Sequence, residues 1–182
     1  DGRLIVGETN KGNRFSDNDQ HGGIWESRHM EVRMEGNMFN NLPSGYGVDL
    51  DDYPWYPILL NEPENDQTLF VVQNNVFNMG HSKYALYFRN IRHRRFPGDV
   101  SVLYEVRNNQ FNMSDNNERE LYTNYTKGMV IRNNRFSGQG IQGLFLINYS
   151  ENGLVLGNNF STAELTTCVY LNATTRNWTL VG

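Results

Sequence analysis

VIRNNRFSG, residues 130–138, sets two asparagines and a phenylalanine in an order that the chain uses repeatedly. GNRFS (12–16), EGNMFNN (35–41), QNNVFNM (73–79), RNNQFNMS (107–114) and GNNFS (157–161) carry the same pattern. Six copies of Asn-x-Phe therefore each follow a Gly or an Asn. The asparagines are Asn13, Asn37, Asn75, Asn109, Asn134 and Asn158; the phenylalanines are Phe15, Phe39, Phe77, Phe111, Phe136 and Phe160. Successive copies lie 24, 38, 34, 25 and 24 residues apart. A unit of 24 or 25 residues, twice stretched by an insertion, marks a stacked-repeat architecture.

Each copy has the same surroundings. Ahead of the Asn-x-Phe lies a short alternating apolar run: EVRMEG, LFVVQN, LYEVRN, MVIRN and LVLG. These read as strands of period two. A second apolar run precedes each of them, at 24–27, 58–61, 86–89, 121–124, 145–148 and 169–172. Turn formers such as YSENG and ATTRN separate the two runs. Amphipathic 3.6-residue stretches, which a helical solenoid would need, are missing from the pattern.

Stacking such units sets equivalent residues of successive coils ~4.8 Å apart. The phenylalanines then form an interior column, each ring contributing about 2 kcal/mol through burial. The asparagine is expected at the bend, where its side chain tolerates unusual backbone angles. Its amide donates to one neighbour in the column and accepts from the other, which satisfies an interior polar group. A second asparagine column is expected after the other run: Asn61, Asn124, Asn148 and Asn172, with Ser27 and Arg89 departing from it. On these residues the chain resembles the right-handed parallel β-helix repeat family, the pectate-lyase-like superfamily, from Leu4 to Gly182. The expected fold is all-β: a right-handed parallel β-helix of about six to seven coils, ~30 Å tall. It forms one domain over 1–182 with insertions at 40–57 and 91–99. The repeat phase at DGRLIVG and NWTLVG reads as part of a longer chain.

Composition narrows the function. A net charge of −4 argues against a nucleic-acid surface. The chain holds no run of ~18 apolar residues for a membrane span. Cys168, the single cysteine, reads as a small buried side chain in TTCVYLN and offers no disulfide framework. Six Asn-x-Ser/Thr sequons, at Asn112, Asn124, Asn148, Asn159, Asn172 and Asn177, follow largely from the repeat itself.

The residue between the inward positions of the second run should point outward. Aligning the copies on the end of that run gives Trp25, Leu59, Tyr87, Tyr122, Leu146 and Tyr170. A solvated β-face would carry Thr, Ser, Lys or Glu there. Either the row is a platform on which sugar rings stack, or a loop or partner chain covers it. Insertion 40–57 brings Asp49, Asp51, Asp52 and Trp55. The aspartates suit Ca²⁺ or acid/base work, or they are a solvated turn with Trp55 as a lid. Insertion 91–99 brings Arg92, His93, Arg94 and Arg95 just after Arg89. Arg forks match carboxylates and sulfates, so an acidic polysaccharide is the candidate ligand; the plainer alternative is a solvated turn.

GHSKYALYFR (80–89) is the best candidate for chemistry. Cleavage of a uronide by β-elimination needs a cation for the enolate, a base for the proton and an acid for the leaving oxygen. Arg89 suits the first role, Lys83 or His81 the second, and Tyr122 or Tyr87 the third. The resemblance implies Lys/Arg chemistry of this kind, or clustered Asp with Ca²⁺, although the superfamily's catalytic motifs have no residue-by-residue counterpart here. The expectation is an extracellular or cell-surface module that binds an acidic polysaccharide through Trp25, Tyr87, Tyr170, Trp55, Arg92 and Arg94, with or without cleaving it. The alternative is a non-catalytic structural or adhesive β-helix, such as a surface stalk or an oligomer-forming tailspike-like shaft.

Overall fold

The computed structural model describes residues 3–8, 10–16, 24–26, 31–41, 58–61, 69–79, 84–89, 103–114, 119–124 and 126–182. Among them the chain climbs in three-stranded laps. The first lap is β1 (Arg3–Val6), β2 (Arg14–Ser16) and β3 (Ile24–Glu26). The second is β4 (Glu31–Glu35), β5 (Met38–Asn41) and β6 (Ile58–Asn61). The third is β7 (Leu69–Gln73), β8 (Val76–Met79) and β9 (Tyr84–Arg89). The fourth is β10 (Leu103–Arg107), β11 (Gln110–Ser114) and β12 (Arg119–Asn124). In the next two laps the second and third strands fuse: β13 (Met129–Arg132) leads into β14 (Arg135–Ile147), and β15 (Leu154–Leu156) into β16 (Asn159–Leu171). β17 (Thr179–Val181) opens another lap.

All pairing between laps is parallel, which makes the fold an all-β parallel β-helix. The first face is a seven-stranded sheet in the order β1-β4-β7-β10-β13-β15-β17. The second face stacks β2, β5, β8, β11 and the leading halves of β14 and β16. The third stacks β3, β6, β9, β12 and their trailing halves. β14 passes from the second face to the third through Gly138, whose φ is +88°. A Cβ there would lie 2.0 Å from the Met113 carbonyl oxygen, so only glycine fits the corner.

The interior is built from columns, one per inward position. Phe15, Phe39, Phe77, Phe111, Phe136 and Phe160 stack ring on ring, with centroids 4.8, 4.9, 5.0, 4.8 and 4.5 Å apart. The first face adds Met34, Val72, Val106, Ile131 and Val155 in register. The third adds Leu86, Leu121 and Leu144. These columns meet in one apolar core.

The corner between the first and second faces carries the asparagine ladder. Each member gives its backbone N–H and one Nδ2–H to the Oδ1 of the next: Asn37 to Asn75 at 2.9 and 3.0 Å, and Asn75 to Asn109 at 3.0 and 3.0 Å. Asn13 to Asn37, Asn109 to Asn134 and Asn134 to Asn158 follow suit. The second Nδ2 hydrogen reaches back to a carbonyl of the preceding lap, as from Asn109 to Val72 O at 2.9 Å. Both amide ends are satisfied, so Asn37, Asn75, Asn109 and Asn134 are buried without an orphaned polar atom.

The backbone angles differ from the expectation in one respect. Positive φ belongs to the residue before the ladder asparagine: Gly36 (69°), Asn74 (56°), Asn108 (54°), Asn133 (54°) and Gly157 (59°). In the five later copies the Gly or Asn that opens the motif is there because those types visit the left-handed region at least cost.

The second asparagine column is also displaced. Asn124 pairs in register with Ile147, and Asn148 and Asn172 bond to each other, at 3.3 and 3.4 Å. An extra residue enters at Asn148 and Tyr149, both at positive φ (50° and 62°). Cys168 is exposed on β16, contrary to the buried position expected from its apolar neighbours.

Candidate functional site

The third face carries the row expected to point outward. The backbone register runs Trp25–Leu59–Tyr87–Tyr122–Phe145–Tyr170, each directly over the next. Phe145, not Leu146, fills the fifth place. Leu146 pairs with Thr123 and is fully buried. Aligning on Asn148 shifts that lap by one residue, and a one-residue slip moves a side chain to the opposite face of a sheet. Five of the six places are thus aromatic.

The rings of this row are occupied with one another. Phe145 lies 4.9 Å from Tyr170 at 25°, and 5.2 Å from Tyr122 at 42°. Tyr122 is 9 % exposed and Tyr170 39 %. Phe145 thus has a neighbouring ring on either side of it along the column. Sugar stacking needs a ring's face; edges and hydroxyls offer only hydrogen bonds and rim contacts.

Of the residues proposed for chemistry, Arg89 and Tyr122 lie on described strands. Arg89 pairs through its backbone with Asn124 and Asn61, one lap across and two positions along from Tyr122. For Trp25, Tyr87 and Arg89 the description is of the backbone alone. His81 and Lys83, in the segment entering β9, lie outside the described residues, as do Trp55, Asp49, Asp51, Asp52, Arg92 and Arg94. Among the described residues no group of three or more His, Cys, Asp or Glu side chains is placed to hold a metal ion. No helix among them is long and apolar enough to cross a membrane.

Two outward features escape a reading of motifs alone. On the second face, Ser16, Asn40, Asn78, Asn112, Ser137 and Thr162 form a column beside the phenylalanines. Asn112 Nδ2 donates to Asn78 Oδ1 at 2.6 Å, and Ser137 Oγ donates to Asn112 Oδ1 at 2.8 Å. The signal was the Ser or Asn that follows each of the six phenylalanines, although in the last lap the register shift puts Thr162 rather than Ser161 in the column. On the first face Glu105 is buried between Arg107 (3.1 Å) and Arg132, and Arg107 Nε also donates to Gln73 Oε1 at 2.6 Å. Both guanidiniums converge on one carboxylate, so its burial is compensated locally.

No protein-family model, curated protein or solved structure matches this chain significantly.

Proposed function

We propose that this chain is a non-catalytic β-helical module, a stiff rod serving a stalk or shaft of an extracellular or cell-surface protein. The observation that carries the reading is the outward aromatic column. Tyr122, Phe145 and Tyr170 cover one another's faces at 4.9 and 5.2 Å, and Tyr122 is 9 % exposed. A surface selected for sugar stacking would leave those faces open. The polar groups agree: inner amides, outer amides and Glu105 are all held by neighbouring laps. An uninterrupted lattice of this kind suits mechanical and proteolytic resistance better than turnover. Its asparagine ladder and phenylalanine stack also support kinship with the pectate-lyase-like superfamily, whose members share the architecture rather than one activity.

A second reading is favoured by the exposure of Tyr170 and of Arg14 and Arg135 on the neighbouring face. Here the module binds an acidic polysaccharide through phenol tips and cations, with Arg89, Arg92 and Arg94 contributing charge. Cleavage would then fall to Lys83 or His81 with Arg89 and Tyr122.

Affinity electrophoresis through polygalacturonate, alginate and hyaluronan, with an assay for unsaturated uronides, separates the two. The structural module migrates unretarded and yields no product. Retardation relieved by Tyr170→Ala, or product formation abolished by Lys83→Ala, would replace it with the binding or lyase reading.

A further inference from the structure

The six sequons are alike in sequence and unlike in the fold. Asn112 has its Nδ2 bonded to Asn78 and its Oδ1 accepting from Ser137 and Gln110. Asn124 is 8 % exposed. Asn148 and Asn172 are half-buried and bonded to each other. Asn177 donates from Nδ2 to Asn152 at 3.0 Å, and the Trp178 after it is tied by Nε1 to Ser150 O at 3.1 Å. A sugar on Asn112, Asn172 or Asn177 would displace an amide bond that holds one lap to the next, and at Asn124 and Asn148 burial leaves less room for one.

Asn159 combines exposure with a side chain that bonds within its own strand. It is exposed, on the outward side of β16, directly over Arg135. The register between β14 and β16 shifts just after it, because Arg135 pairs with Asn159 while Ser137 pairs with Thr162. That bulge releases the Ser161 N–H from the ladder. Asn159 Oδ1 accepts it at 2.8 Å, which turns the side chain back along its own strand. Ser161 is exposed as well, while Phe160 between them is stacked on Phe136 in the interior. Among the described residues, nothing from another lap takes the Asn159 Nδ2 hydrogens.

We propose that Asn159 is an N-glycosylation acceptor, taking an oligosaccharide from a polyprenyl-pyrophosphate-linked donor. Asn159 Nδ2 forms the bond to the anomeric carbon as that carbon's bond to the pyrophosphate oxygen breaks. Nδ2 loses one proton, and the polyprenyl pyrophosphate leaves with the electron pair. The bulge makes this the sequon where a bulky polar chain is carried without opening the lattice. The assignment stands apart from the binding question, since neither reading of the third face uses Asn159.

The test is secretion-directed expression in a eukaryotic host. Occupancy of all six sequons is read by mass spectrometry after peptide N-glycosidase treatment in heavy-oxygen water, in both the medium and the microsomal fraction. The expected result is Asn159 as the principal occupied site. Asn159→Gln and Ser161→Ala should each remove one glycan mass, with the thermal midpoint moving by less than about 3 °C. An unoccupied Asn159 in both fractions, or secreted folded protein modified mainly at Asn112 or Asn124, would overturn the assignment.

Discussion

Aromatic rings stack in two columns of this molecule, the interior phenylalanines and, on the third face, Tyr122, Phe145 and Tyr170. The inner rings lie within 4 to 15° of parallel at 4.5–5.0 Å. The outer rings tilt by 25 and 42° at 4.9 and 5.2 Å. Both columns arise from the same cause, since equivalent residues of parallel laps sit directly over one another. The inner rings are also hemmed in by Met34, Val72, Leu86 and the other walls of the core, so only the flat arrangement fits. The outer rings lie outside that core, Tyr170 is 39 % exposed, and they splay. Register alone makes a stack; confinement on every side makes it parallel. The two asparagine columns beside the phenylalanines differ in the same way, with a buried inner ladder and a half-buried outer one.

Substitutions at five positions would break or sharpen this contrast. The largest effect belongs to Phe111→Ala, which empties a fully buried site between rings at 5.0 and 4.8 Å. Denaturant unfolding should report a loss of about 3–5 kcal/mol. Next comes Asn109→Ala, which strips Asn75 of its acceptor, Val72 O of a donor and Asn134 Oδ1 of one of its two donors, the backbone N–H remaining. An expected loss of about 2–4 kcal/mol compares with less than about 1 kcal/mol for Asn112→Ala in the outer ladder. Equal losses at the two positions would erase the distinction between the ladders.

Smaller again is Asn133→Val, which forces a β-branched residue to a φ of 54°. A cost of about 1–2 kcal/mol is expected, while Asn133→Gly stays within about 0.5 kcal/mol of the parent. That pair tests whether the residue before the ladder, rather than the ladder member, bears the angular demand. Least costly is Tyr170→Ala, expected below about 1 kcal/mol because the ring is 39 % exposed. A loss matching that of Phe111→Ala would mean that the outer column is as confined as the inner one.

Much of the lattice was legible without coordinates. Asn-x-Phe recurring on a lap of 24 or 25 residues, twice lengthened by an insertion, implied both the inner ladder and the phenylalanine stack, because equivalent residues one lap apart must meet. The site was less legible. Phe145 was missed because the extra residue at Asn148–Tyr149 carries no distinctive sequence mark, and counting back from Asn148 put Leu146 in its place. The exposure of Cys168 was missed for a different reason. Its apolar neighbours suggest a core strand, yet side chains on β16 alternate between exposed and half-buried throughout. The outer ladder was visible as the polar residue after each phenylalanine, but its bonds depend on which laps are adjacent and at what tilt.

What the amino-acid order determined by itself is the vertical neighbourhood. A repeated inward ring and a repeated amide specify a parallel β-helix, because stacking equivalent laps lets each buried amide be satisfied by its counterparts above and below. What the tertiary structure alone decided is everything that turns on a single residue of register or a few degrees of tilt. That includes which residue occupies the fifth place of the outer row, whether its rings offer faces or edges, and which one of six identical sequons stands clear of the lattice. Local sequence cannot decide those points, because an inserted residue at a corner shifts every side chain after it while leaving the motif unchanged.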